Sequence, residues 1–143
     1  LSNEVSAPAV EGRGRPKLQR IHHAAIICSD YAVSKHFYNT VLGLDILAEN
    51  YRAERDSWKL DLALPDGGQV ELFSFNGAPA RPSYPEAQGL RHLAFEVEQL
   101  DEWVAWLEAH SIAVEAIRTD EFTGKRFTFF ADPDALPLEL YER

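Results

Sequence analysis

Apolar and polar side chains alternate with period two along Trp58-Lys59-Leu60-Asp61-Leu62-Ala63-Leu64, the pattern of a half-buried strand. Pro65-Asp66-Gly67-Gly68 has the chemistry of a tight turn, after which the chain returns as Gln69-Val70-Glu71-Leu72-Phe73-Ser74-Phe75. In that return Val70 and Leu72 share one face, while Glu71, Phe73 and Phe75 share the other. Upstream, Asp45 to Tyr51 is a further extended run, and Ile21 to Cys28 is an apolar run that opens on two histidines, His22 and His23. Between those runs, Ser29 or Asp30 can cap a helix whose apolar positions Val33, Phe37 and Val41 recur at helical spacing, and Gly43 is placed to stop it. The segment therefore predicts a strand, a helix and three more strands.

The same order returns in the second half. Arg91 to Val97 is a strand led by His92, followed by a helix with Leu100, Trp103, Val104 and Leu107 on one stripe. Extended runs follow near Ala113 to Arg118 and Lys125 to Ala131. Asp132-Pro133-Asp134-Ala135 is a turn, and Pro137 to Tyr141 closes the unit with Leu138 and Leu140 on one face and Glu139 and Tyr141 on the other. From His23 to Glu71 is 48 residues, and from His92 to Glu139 is 47. A unit that occurs twice with a histidine on its first strand and a glutamate on its last is an internal duplication. The expected fold class is α+β: two tandem β-α-β-β-β modules, residues 20–75 and 90–142. A connector rich in Pro and Gly (76–89) joins them into one domain over 20–142, and residues 1–19, without sustained period, read as a mobile arm.

A strand about to be buried has little reason to carry histidine unless the ring has a partner. His23, Glu71, His92 and Glu139 occupy equivalent positions in the two units, on faces opposite the apolar side chains. Two imidazoles and two carboxylates make a mixed nitrogen and oxygen site suited to Ni²⁺, Zn²⁺, Co²⁺, Mn²⁺ or Fe²⁺, and the lack of thiolate argues against a purely structural zinc site. Only one ring of the His22-His23 pair can face a pocket, and matching the strands pairs His23 with His92. His22 is then an edge or core residue with a local partner, and His36 and His110 are expected in solvent, the latter favourable at a helix C-terminus.

Composition narrows the function. With 45% hydrophobic residues the chain can bury a core, and 14 basic against 23 acidic residues leave a net charge of −9, which argues against a non-specific grip on nucleic acid or anionic membrane. No window reaches the roughly 20 apolar residues of a spanning helix, so a soluble, cytoplasmic protein without nucleic acid or membrane partners is expected. The single cysteine, Cys28, excludes an internal disulfide and a CxxC site, and reads as a small apolar residue on a buried face.

On these residues, together with Phe37-Tyr38, Val41-Leu42-Gly43-Leu44, Val70-Glu71-Leu72, Arg91-His92-Leu93-Ala94-Phe95 and Asp132-Pro133-Asp134 before Leu138-Glu139-Leu140, the chain resembles the vicinal oxygen chelate superfamily, most closely its glyoxalase I-like bacterial members. The resemblance covers about residues 20 to 142 and departs at Ala135, where the family's terminal turn usually has glycine. It implies a homodimer with one divalent metal per site, Ni, Zn or Co before Mn or Fe, held by His23, Glu71, His92 and Glu139. It also implies a small-molecule substrate with adjacent oxygens, such as a hemithioacetal, and a lyase or isomerase in which Glu139, with Glu71 as its counterpart, shuttles a proton between neighbouring carbons. Glutathione-using members carry an arginine four residues after the first ligand and an asparagine four after the first glutamate; here these are Ile27 and Phe75. Substrate contacts are therefore expected from Arg126 first, with Arg52, Arg55, Lys59 and Lys125 as other cations, and from Phe73 and Phe75. The same superfamily offers two other readings, a bleomycin-like binding and resistance protein that needs no metal and an Fe-dependent dioxygenase.

Overall fold

The computed structural model describes residues 14–143. Most of the arm expected over residues 1–19 lies outside the described residues, and 14–22 carry no regular secondary structure. The first module comprises β1 (His23–Cys28), α1 (Tyr31–Lys35), β2 (Asp45–Arg52), β3 (Ser57–Ala63) and β4 (Gln69–Ser74). The second comprises β5 (Leu93–Val97), α2 (Leu100–Ala109), β6 (Arg118–Thr119), β7 (Arg126–Ala131) and β8 (Pro137–Glu142). Each forms its own four-stranded mixed sheet in the same order, β1-β4-β3-β2 and β5-β8-β7-β6. In both, the first strand lies parallel to the last and the remaining pairs are antiparallel.

Alternation sorts the side chains as the sequence pattern requires. Ile26, Cys28, Leu60, Leu62, Val70 and Leu72 of sheet one and Val97, Phe130, Leu138 and Leu140 of sheet two enter one core, with Phe37, Tyr38 and Val41 from the first helical segment and Leu100 and Leu107 from α2. Asp30 caps α1, its Oδ1 accepting from the Val33 N–H at 3.2 Å. The segment continues from His36 to Val41 as a π-helical turn, with the Leu42 N–H donating to the Phe37 carbonyl five residues back at 2.9 Å. The buried stripe of the segment is Ser34, Phe37, Tyr38 and Val41, at ordinary helical spacing, which leaves Val33, expected in the core, 49% exposed. Gly43 then ends the segment at φ 76°, a left-handed conformation open to glycine.

One further expectation is corrected. Of the run expected over 113–118 only Arg118 joins a ladder, together with Thr119 beyond it. Beside it the Thr128 hydroxyl donates to the Glu115 carbonyl at 2.7 Å, a side-chain bond at a position where a longer strand would have extended the ladder. In β2 the pairing with β3 slips between Ile46 and Ala48, a bulge that leaves Leu47 without an opposite residue.

The modules are tied through their helical side. Tyr38 donates from its hydroxyl to Asp132 Oδ2 at 2.7 Å, Trp106 Nε1–H donates to the Val41 carbonyl at 2.8 Å, and the Ser29 N–H donates to Asp134 Oδ2 at 3.0 Å. Burial, reinforced by the Asp132 charge, pushes the Tyr38 hydroxyl far above its usual range, so it remains a donor. The faces of both sheets that turn away from this core carry the residues that matter for chemistry.

Candidate functional site

His23 opens β1 and shares its outer face with Ala25 and Ile27, while Ile26 and Cys28 point inward. Because β1 runs parallel to β4 with Ala25 opposite Glu71, the His23 ring lies one step along from the carboxylate, and Nε2 is 3.5 Å from Glu71 Oε2. Lys59, on the adjacent strand, stands 3.9 Å from Glu71 Oε1 and 3.0 Å from Asp61 Oδ1. Phe73 and Phe75 continue the Glu71 face, their rings stacked at 6.2 Å.

The second module repeats the arrangement. His92 precedes β5, Ala94 lies opposite Glu139, and His92 Nε2 is 3.0 Å from Glu139 Oε1. The Arg91 guanidinium approaches His92 Nδ1 at 3.3 Å, on the side of the ring away from Glu139. Phe129 meets the imidazole edge-on at 5.0 Å. A cavity of about 870 Å³ covers this face, walled by Phe127, Phe129, His92 and Glu139 and by connector residues between Arg81 and Arg91.

The structure thus brings the four residues together as two pairs, His23 with Glu71 and His92 with Glu139. It does not gather them into one cluster: among the described residues no three His, Cys, Asp or Glu side chains converge as a metal site. Each pair offers one imidazole nitrogen and one carboxylate, half of a mixed donor set that fits a divalent ion of borderline softness.

Other side chains depart from expectation. Arg126 was expected near the pocket, but on β7 it shares the face of Thr128 and Phe130, opposite that of Phe129 and Glu139. There it is bound to Glu142 and Asp101, each at 2.9 Å. Of the two positions expected for His22, edge or core, the structure shows the exposed one, just before β1, with its Nδ1 3.0 Å from that of His23 as local partner. His36 and His110 are exposed as expected, and His110 caps α2 with Nδ1 2.8 Å from the Trp106 carbonyl. Two arginines do reach the outer faces: Arg52 lies over Phe73 and Phe75, and Arg118, which the sequence pattern did not single out, lies over Phe127 and Phe129. The repeat could have flagged Arg118, because it stands on the edge strand of module two as Arg52 does in module one.

Comparison with known proteins follows the same outline. The uncharacterized protein YaeR of Escherichia coli (strain K12) is 60% identical over 126 residues, 88% of this chain and 98% of that protein. The crystal structure of a glyoxalase family protein from Enterococcus faecalis superposes with a TM-score of 0.80 at 52% identity, covering 87% of this chain and 98% of that one. At 28% identity stands the metallothiol transferase FosB of Staphylococcus saprophyticus, matched over 87% of this chain and 77% of that protein. The profile of the Glyoxalase/Bleomycin resistance protein/Dioxygenase superfamily matches residues 20–140, and the chain belongs to that superfamily.

Proposed function

We propose that this protein is a metal-dependent lyase or isomerase of the glyoxalase I type, moving a proton between adjacent carbons of a small compound with neighbouring oxygens, at a site completed by two copies of the chain. The observation that carries this reading is the pair of equivalent histidine–glutamate contacts, 3.5 Å in module one and 3.0 Å in module two, each on the outer face of its own sheet. His23 and Glu71 of one chain, facing His92 and Glu139 of a second, make a two-nitrogen, two-carboxylate set; one chain alone does not, among its described residues. The metallothiol transferase named among the relatives supports a metal in such a site. A divalent ion there would supply a Lewis acid that makes a carbon-bound proton beside a carbonyl easier to remove. Glu139 takes that proton and returns it to the neighbouring carbon, with Glu71 as its counterpart across the site. Phe127 and Phe129 shield the transfer from water, and the ring of Phe129 fixes the plane of His92.

A subunit-mixing experiment tests both parts. His23→Ala and His92→Ala homodimers are each inactive in a methylglyoxal-plus-thiol assay and deficient in metal by elemental analysis. Unfolded together and refolded, they regain about a quarter of the wild-type activity, because half the dimers are mixed and each mixed dimer holds one intact site. No recovery would place the site within one chain; full metal-free activity of both variants would sink the enzyme reading in favour of a binding protein.

A further inference from the structure

Arg52 closes β2, and its guanidinium carbon lies over two rings, 4.9 Å from the centre of Phe73 and 5.5 Å from that of Phe75, both on the face of Glu71. Its Nη2 donates to Ser57 Oγ at 2.9 Å, whereas Nε is buried and has no hydrogen-bond partner among the described residues. No carboxylate pairs with it among the described residues, whereas Lys35, Arg91, Arg126 and Arg143 are each matched to carboxylates. A guanidinium held off carboxylates and set against aromatic rings keeps its charge for an external anion. Module two carries the same device. Arg118 stands on its edge strand with the guanidinium 5.0 Å from Phe127 and 5.8 Å from Phe129, and Phe129 in turn touches His92. Its one ion pair, to Glu115 at 3.3 Å, is exposed on both sides and weakly competitive. On both modules, then, an arginine set against aromatic rings sits on the edge strand of the sheet that carries the histidine–glutamate pair.

We infer that Arg52 and Arg118 form an anion-recognition pair, and that the substrate carries a carboxylate or phosphate in addition to its adjacent oxygens. The position of those oxygens rests on the function proposed above; the anion site rests on the arginines. Such a substrate is held at both ends, its adjacent oxygens at the histidine–glutamate pairs and its anionic group under a guanidinium.

The test is calorimetric titration of the full chain, metal-loaded and at constant ionic strength, with tartronate and with lactate, which keeps the hydroxyl and one carboxylate as adjacent oxygens and has a methyl in place of the second carboxylate. Wild-type protein prefers tartronate at least about tenfold, the discrimination a charged hydrogen bond supplies. The preference falls toward unity in Arg52→Gln and Arg118→Gln and is partly restored in Arg52→Lys, which keeps charge without the guanidinium. An equal preference in all variants, or none in the wild type, overturns the inference. Should Arg52→Gln not fold, Arg52→Lys and Arg118→Gln carry the comparison. Inorganic phosphate against chelator-stripped protein separates this inference from the metal reading: binding that depends on Arg52 in a protein that takes up no metal keeps the anion pair and sinks the metal-dependent function.

Discussion

The two modules share a strand order and a histidine–glutamate pair, yet they surround that pair differently. In module one His23 is 41% exposed, neighbours His22, and shares Glu71 with Lys59. In module two His92 is 26% exposed, stacked edge-on against Phe129, fixed at Nδ1 by Arg91 and overhung by the connector. Duplication conserved the backbone positions, while the contacts around each ring diverged. Half of the candidate site is therefore preorganised within its own sheet. The other half stands open on the surface, as expected of a face that a second copy would cover.

Breaking the carboxylates separates the halves most sharply. Glu139→Gln is expected to lower turnover by about 10²- to 10⁴-fold, the usual contribution of a positioned acid–base group, and Glu71→Gln by less. Steady-state kinetics on both variants checks this, and equal losses would erase the functional asymmetry. Tyr38→Phe cuts the buried bond between the modules and leaves Asp132 short of a donor; it should cost about 1.5 to 3 kcal/mol in urea unfolding. The turns before the last strands offer a direct exchange: Gly67 at φ 90° in module one is matched by Ala135 at φ 65° in module two. Ala135→Gly should stabilise and Gly67→Ala destabilise, each by about 1 kcal/mol, since a Cβ is strained in that region; thermal unfolding measures both. The last paired position to test is Cys28, whose counterpart is Val97. Burial and the charge of Asp134 push the Cys28 thiol up from 9.0 to about 11. Its raised value favours the folded state fully below pH 9, and that contribution is lost as pH rises from 9 through 11. Cys28→Val should therefore lose less unfolding free energy than wild type between pH 8 and pH 11.

The strands and both histidine–glutamate pairs were legible in the sequence because period-two alternation fixes a face once one side is apolar, as in Val70-Glu71-Leu72 and Leu138-Glu139-Leu140. Arg126 was misplaced because Phe127, Phe129 and Phe130 put apolar side chains on both faces of β7, so the strand's phase is set only by pairing Phe129 with Glu139. Val33 was misplaced because Phe37 and Val41 fit a stripe through either Val33 or Ser34, and only the stripe through Ser34 also takes in Tyr38 at i, i+3, i+4, i+7. Arg118 escaped notice because its strand is two residues long, too short to show any period. That the two pairs stay apart in one chain is a matter of how the modules pack on the helices, which local pattern does not encode.

The bulge in β2 reaches beyond the site. β2 is an outer strand of eight residues with Ile46, Leu47 and Tyr51 exposed, and an edge of that length and character invites strand-by-strand addition of further copies. The unmatched Leu47 bends the strand where Ile46 and Ala48 lose step, next to the charge of Asp45 at its start. A single residue of misregister of this kind is one of the devices that blunt an exposed edge against strand addition.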